Sequence, residues 1–146
     1  MRLTSFTDYG LRMLMRMASA PDRAFSTGEL ADEFGLSRHH LTKIMQRLAK
    51  GGVVSTRRGG GGGAILARAP QDISVGAVVR LLEEGQALVE CFAATGGSCT
   101  IAGCCRLRAR LYSARNAFLT ELDRSTLGDV ALSESTGRAA SKVVQT

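Results

Sequence analysis

Tryptophan is missing from this 146-residue chain, and five Phe and two Tyr complete its Phe/Trp/Tyr complement. The core is therefore expected to be aliphatic, assembled from Leu, Val, Ile, Met and Ala. No stretch approaches the ~18–20 consecutive apolar residues of a membrane span. The first twenty residues are interrupted by Arg2, Asp8, Arg12 and Arg16, so they do not read as a secretory leader. A cytoplasmic protein is the expectation. No nucleotide-binding motif is present. The adjacent His39 and His40 do not form a catalytic arrangement, so an enzyme is not expected. Cysteine is absent outside one window, where Cys91, Cys99, Cys104 and Cys105 fall within fifteen residues. In a reducing compartment such clustering disfavours a structural disulfide and favours metal or redox chemistry.

What the chain does have is unevenly placed. Hydrophobic content of 45% and charged content of 22% fit a globular protein, one domain or a small domain with an added dimerisation element. The net charge is +6, and residues 1–70 carry eleven Lys/Arg against five Asp/Glu, whereas residues 71–146 carry eight of each. The whole excess lies in the first half, as expected if that half meets a polyanion, although a solubilising surface would carry the same sign.

The expected fold class is mainly α with a small β-hairpin wing: a winged helix-turn-helix followed by a long dimerisation helix. A first helix is predicted from about Ser5 to Ser19, with Phe6, Leu11, Leu14, Met15 and Ala18 as its apolar stripe and Pro21 just past its end. A second starts at Ser26, where Ser26 and Glu29 have the spacing of a capping box, and it runs to Phe34, with the turn at Gly35. Ser37 caps a third, Arg38 to Lys50, with Leu41, Ile44, Met45 and Leu48 facing inward. Two short helices joined by a glycine-containing turn form a helix-turn-helix pattern. Residues 53–57 and 64–68 suit two strands, and Arg58 with Gly59 to Gly63 forms the tip between them. Such a tip is loose until something holds it, and its bare backbone could approach a phosphate closely; a simple flexible loop is the alternative. Ser74 caps a further helix carrying Val75, Val78, Val79 and Leu82 and ending near Gly85. A long helix from Arg106 to Leu122 presents Leu107, Leu111, Ala114, Phe118 and Leu122 as a seam suited to a partner helix, which predicts a homodimer. The alternative is that the stripe covers its own domain, although the N-terminal part has little spare surface to absorb it. The division expected is 1–70 for the DNA-binding domain, 71–130 for the cysteine loop and dimerisation helix, and 131–146 for a disordered tail.

The third helix is the presumed recognition helix. Arg38, His39, His40, Lys43 and Arg47 are expected to face outward, the first three in the turn where helix-turn-helix proteins contact bases. Arg suits guanine edges, while Lys43 and the wing residues Arg57 and Arg58 suit phosphates. Ser26 completes the expected double-stranded-DNA-binding set. A solvated helix face is the bland alternative for each of these side chains.

The cysteine spacing leaves several chemistries open. A zinc site usually uses close CxxC pairs, and none is present. A thiol–disulfide switch is possible, although adjacent Cys104 and Cys105 would form a strained pair. An iron–sulfur cluster accepts thiolates from a loop at wider spacings such as these.

Four segments, MRLTSFTDYGLRMLMRMA, GLSRHHLTKIMQRLAKGGVV, RRGGGGGAILARAP and DISVGAVVRLLEE, together resemble the iron–sulfur winged-helix regulators, the group that includes IscR. FTDYGLR, the Cys91/Cys99/Cys105 loop followed by Arg106-Leu107, and FLTELDRSTLGDV most resemble its nitric-oxide-sensing, NsrR-type repressors. The resemblance covers about residues 1–132 and implies a homodimer on a palindromic promoter site, with an iron–sulfur cluster of the 4Fe–4S type in each subunit. It also implies Cys91, Cys99 and Cys105 as ligands and Asp8 as a carboxylate ligand supplied across the dimer. Without the resemblance, Asp8 would read as capping the first helix or pairing with Arg12. Two features depart from the pattern: a wider gap between Cys91 and Cys99, and the additional thiol of Cys104, which could replace Cys105. No His follows the third cysteine, where the IscR type places a ligand. An iron-responsive RirA-type repressor and a cluster-free thiol redox regulator are the alternative functions.

Overall fold

Hydroxyl side chains start most of the helices. The computed structural model describes residues 2–57, 59 and 62–133; Arg58 and most of the expected tail lie outside the described residues. Helix α1 (Ser5–Ala18) begins at Thr4, α2 (Thr27–Phe34) at Ser26, α3 (Arg38–Lys50) at Ser37 and α4 (Val75–Leu82) at Ser74. The single-turn α6 (Leu127–Val130) begins at Thr126. In each case the hydroxyl accepts a backbone N–H that the first turn leaves without a partner. The exception is α5 (Arg106–Leu122), which starts at Cys105 with no side-chain cap.

The capping box expected at Ser26 is half formed. Ser26 accepts the Glu29 N–H at 3.0 Å, but the Glu29 carboxylate pairs with Arg23. A complete box occurs instead at Thr126, whose N–H donates to Asp129 at 2.7 Å. Here Asp, in place of the commoner Glu or Gln, closes the box.

The α1 stripe also differs from expectation. Its buried residues are Thr7, Gly10, Met13, Leu14, Met17 and Ala18, while Phe6, Leu11 and Met15 are only half-buried. Gly10 accounts for the rotation. A Cβ there would fall 2.6 Å from Leu82 Cδ1 and 3.2 Å from Ile44 Cγ2, so α1 packs against α3 and α4 at this point through a residue with no side chain. In α3 and α4 the expected residues are the buried ones. One core joins them to Phe25, Leu30, Ile73 and Leu127 from both halves of the chain.

The wing is a two-stranded antiparallel hairpin, β1 (Val54–Arg57) and β2 (Gly63–Leu66), in register Val54↔Leu66 to Arg57↔Gly63. Val53 lies outside β1, its N–H closing the end of α3 on Leu48 O at 2.9 Å while its carbonyl accepts the Ala67 N–H at 3.0 Å. The second strand starts one residue earlier than expected and ends at Leu66, leaving Ala67 and Arg68 outside it. Phe25 holds the hairpin to the domain by exchanging two backbone hydrogen bonds with Ala64, at 2.9 and 2.8 Å. The seam expected along α5 is largely uncovered in the single chain: none of the helix is buried, and Leu107 is 61% exposed. The far end is attached, with Leu119 and Leu122 against the core and Asp123 gripped by Arg80 at 2.6 Å through both oxygens. Beyond Val130 the chain remains tied as far as Leu132, whose N–H donates to Met15 O at 3.2 Å. Among the described residues no helix is long and apolar enough to cross a membrane.

Candidate nucleic-acid interface and cysteine site

A helix turns 100° per residue, so His39, Thr42, Lys43, Gln46 and Lys50 fall on one side of α3. All are exposed except Thr42, which is half-buried. Thr42, Gln46 and Lys50 were not in the expected DNA-binding set, although the helical spacing that places Lys43 outward places them there too. Arg38 is exposed at the head of the helix with its guanidinium across Gly28 of α2; a Cβ on Gly28 would come within 2.6 Å of Arg38 Nη2. Ser26 is exposed at the head of α2, its hydroxyl occupied as the α2 cap, and Arg57 is exposed on β1.

Two expected outward residues face the protein instead. His40 packs its ring against α1, with centroids 6.0 Å from Phe6 and 5.4 Å edge-on from Tyr9. Arg47 donates from Nε to Leu81 O at 3.2 Å and pairs with Glu84 at 2.9 Å, joining the end of α3 to that of α4. Both sit where the α3 surface meets its neighbours, an edge that the sequence of α3 alone does not reveal.

The cysteine loop has internal structure. Glu90 accepts hydrogen bonds from the Ser98 N–H at 2.7 Å and the Ser98 hydroxyl at 2.9 Å. The staple joins the residue before Cys91 to the residue before Cys99, which accommodates the wide gap between these thiols. The same N–H, followed by the hydroxyl, holds the Glu90 carboxyl below its usual range. Gly97, at φ +65°, makes the return turn, and a Cβ there would collide with Glu90. Phe92 meets Tyr112 of α5 edge-on at 6.0 Å, which sets Cys91 against that helix.

The result is a hollow of about 820 Å³ lined by Cys91 and Cys105. Its walls are largely small residues, including Ala93, Ala94, Gly96, Ala102 and Ala109, with Arg108, Arg115 and Tyr112 from α5. Neither Cys99 nor Cys104 lines it; Cys104 is exposed, its thiol directed at Ile101 O at 3.6 Å. Among the described residues no three His, Cys, Asp or Glu side chains converge to hold a metal. Asp8 lies on α1 as a bidentate partner of Arg12, at 2.7 and 3.2 Å. A roomy cavity with thiol donors and small walls fits an iron–sulfur cluster, but a single chain gathers two of the four expected ligands.

The recognition helix, its partner α2 and the paired wing define a winged helix-turn-helix transcription regulator. Residues 3–132 match the Rrf2 family, described as iron-dependent transcriptional regulators, and the chain belongs to that family. Among its relatives is the HTH-type transcriptional regulator NsrR of Geobacillus kaustophilus, 42% identical over 131 residues that cover 89% of each chain. The protein of the same name from Halalkalibacterium halodurans is 40% identical over 92% of each. Solved structures of similar fold include CymR, the global cysteine regulator of B. subtilis, with TM-score 0.71, 26% identity and coverage of 90% of this chain and 96% of that one. IscR of T. potens aligns with TM-score 0.68 and 25% identity over 100% of this chain and 94% of its own.

Proposed function

We propose that the protein is a cytoplasmic, homodimeric repressor that binds a palindromic promoter site and releases it when nitric oxide damages an iron–sulfur cluster. The observation that carries this is the hollow at the head of α5, which Cys91 and Cys105 both line, in a loop shaped by the Glu90–Ser98 staple. Its support also comes from the NsrR naming of relatives at about 40% identity.

Cys91, Cys99 and Cys105 would hold the cluster in one subunit, with Asp8 of the partner subunit completing the set. When bound, the cluster supplies iron centres at which a diatomic gas reacts, and a carboxylate is a harder and more readily displaced iron ligand than a thiolate. The chain's own residues carry the consequence to the DNA. Arg12, one turn along α1 from Asp8, pairs with the Asp8 carboxylate and would compete with the cluster for it. Arg12 stacks over the Tyr9 ring at 5.6 Å, and Tyr9 packs edge-on against His40 in the first turn of α3. A change of partner at Asp8 therefore reaches the recognition helix through three side chains in contact. Two such helices must sit about one DNA turn apart, ~34 Å, to engage both half-sites. A coupling of ~1–3 kcal/mol suffices to change affinity about 5–150-fold.

The family's iron-dependent description favours a second reading, in which loss of iron itself is the signal. The Asp8→Ala variant tests the assignment of ligands. It is expected to load iron while changing the cluster's absorbance or its rate of reaction with nitric oxide. Unchanged spectrum and unchanged gas reactivity would remove Asp8 from the site.

A further inference from the structure

The first ten residues of α5 contain four arginines, Arg106, Arg108, Arg110 and Arg115, and no Asp or Glu. None of the four has a carboxylate partner among the described residues. Elsewhere Arg12, Arg16, Arg23, Arg47, Arg80 and Arg124 do, while Arg2, Arg38, Arg57 and Arg68 also have none, so what sets the head of α5 apart is the run of four cations with no acidic residue among them. The arrangement runs against helix electrostatics. The start of a helix is already positive and favours acidic side chains, yet here cations accumulate at an end that has no side-chain cap. A local conflict of this kind is expected where function requires it.

The conflict is resolved if the neighbouring hollow holds an anion. Arg108 and Arg115 line that hollow with Cys91 and Cys105. They are seven residues apart, two turns along one face of α5, with Tyr112 between them; Arg106 and Arg110 fall on the opposite side. With three thiolates and a carboxylate as ligands, a 4Fe–4S centre is a net anion, and the potential of such a centre depends on net charge and surroundings.

We propose that Arg108 and Arg115 are resident counter-charges for the cluster, raising its reduction potential and slowing its loss. The proposal rests on the cluster reading above and assigns a role to α5 residues beyond the ligands. Both are positioning residues that act through the field at the site, so charge, not guanidinium shape, is what matters.

The test is an anaerobic redox titration of the reconstituted full-length protein and of Arg108→Gln, Arg115→Gln, Arg110→Gln and Arg115→Lys. Cluster release to a chelator is timed on the same samples. Arg108→Gln and Arg115→Gln are each expected to lower the potential, so that the reduced-to-oxidised ratio at fixed potential falls severalfold; tenfold corresponds to 59 mV for one electron. Both should also release iron faster. Arg110→Gln removes the same charge from the opposite face and is expected to shift the ratio at least threefold less, while Arg115→Lys should stay near the parent value. Equal shifts from Arg108→Gln and Arg110→Gln would reduce the effect to net charge and overturn the assignment, as would no shift from either Gln variant in the hollow. If Arg115→Gln does not load a cluster, loading by Arg115→Lys supports the proposal, and failure of both overturns it in favour of a packing role. Failure of the parent protein to load iron and sulfide overturns the cluster reading itself, before any variant is compared.

Discussion

Replacing His40 by Ala separates two roles that the recognition helix assigns to this side chain. If His40 joins the reader to α1, the substitution removes its ring contacts with Tyr9, at 5.4 Å, and with Phe6, at 6.0 Å. Aromatic pairs of this kind contribute about 0.5–1.5 kcal/mol each beyond buried area, so the loss should be roughly 1–3 kcal/mol. For a chain of this size about 3–5 °C of melting temperature accompanies each kcal/mol. Thermal unfolding of the cluster-free protein at fixed protein concentration would read the effect, and a cycle with Tyr9→Ala would isolate the pair. DNA affinity with and without the cluster supplies the functional half of the test. The contact between Tyr9 and His40 predicts that the ratio of the two affinities moves toward one, because the route from Asp8 to α3 is cut. An unchanged melting temperature with an equal loss of affinity in both states would refute this reasoning and return His40 to a simple DNA contact.

Other positions give independent checks. Gly97→Ala should strain a turn at φ +65° and displace Glu90, lowering cluster loading severalfold with little change in the melting temperature of the cluster-free domain. Leu127→Ala empties a fully buried site in α6 and should cost about 2–5 kcal/mol in urea unfolding; a loss below ~1 kcal/mol would mean that α6 is not part of the core. The Asp123 carboxyl is held below its usual range by hydrogen bonds from Arg80, with Ser74 adding to them. A depressed carboxyl contributes stability above its unfolded pKa of ~3.9 and loses it as pH falls through the lower folded value. Asp123→Asn should therefore make the decline of stability below about pH 4 shallower, and an identical acid limb would contradict the Arg80–Asp123 link. Lys43→Ala should weaken specific and nonspecific DNA binding alike and reduce the salt slope by about one; a sequence-selective loss would make Lys43 a base reader.

The sequence revealed most where periodicity and capping agree. Helices α3 and α4 have an N-cap serine, aliphatic side chains three and four residues apart and a definite end, and their buried residues are the expected ones. Helix α1 is harder to read because its buried face includes Gly10, packed tightly against Leu82 and Ile44, which carries no hydrophobic signal, alongside the buried Met13 and Met17. The single turn of α6 is too short for a period, so only its cap could have announced it. At the site, the clustering of cysteines was legible but their convergence was not. The Glu90–Ser98 staple and the Phe92–Tyr112 contact depend on which loop residues fold back, and no local propensity encodes that. The same limit applies to His40 and Arg47, whose orientation is decided by what α1 and α4 place beside them.

Nitric oxide titration of anaerobically purified protein, with cluster absorbance and specific DNA binding followed on one sample, tests the central claim most directly. Iron and sulfide near four per subunit are expected, as a 4Fe–4S centre requires, with absorbance loss and DNA release proceeding together. A cluster that ignores nitric oxide but releases DNA when iron is chelated would contradict the nitric oxide signal and establish iron as the input. Metal-free protein that binds the same operator with undiminished specificity would contradict control by a cluster altogether.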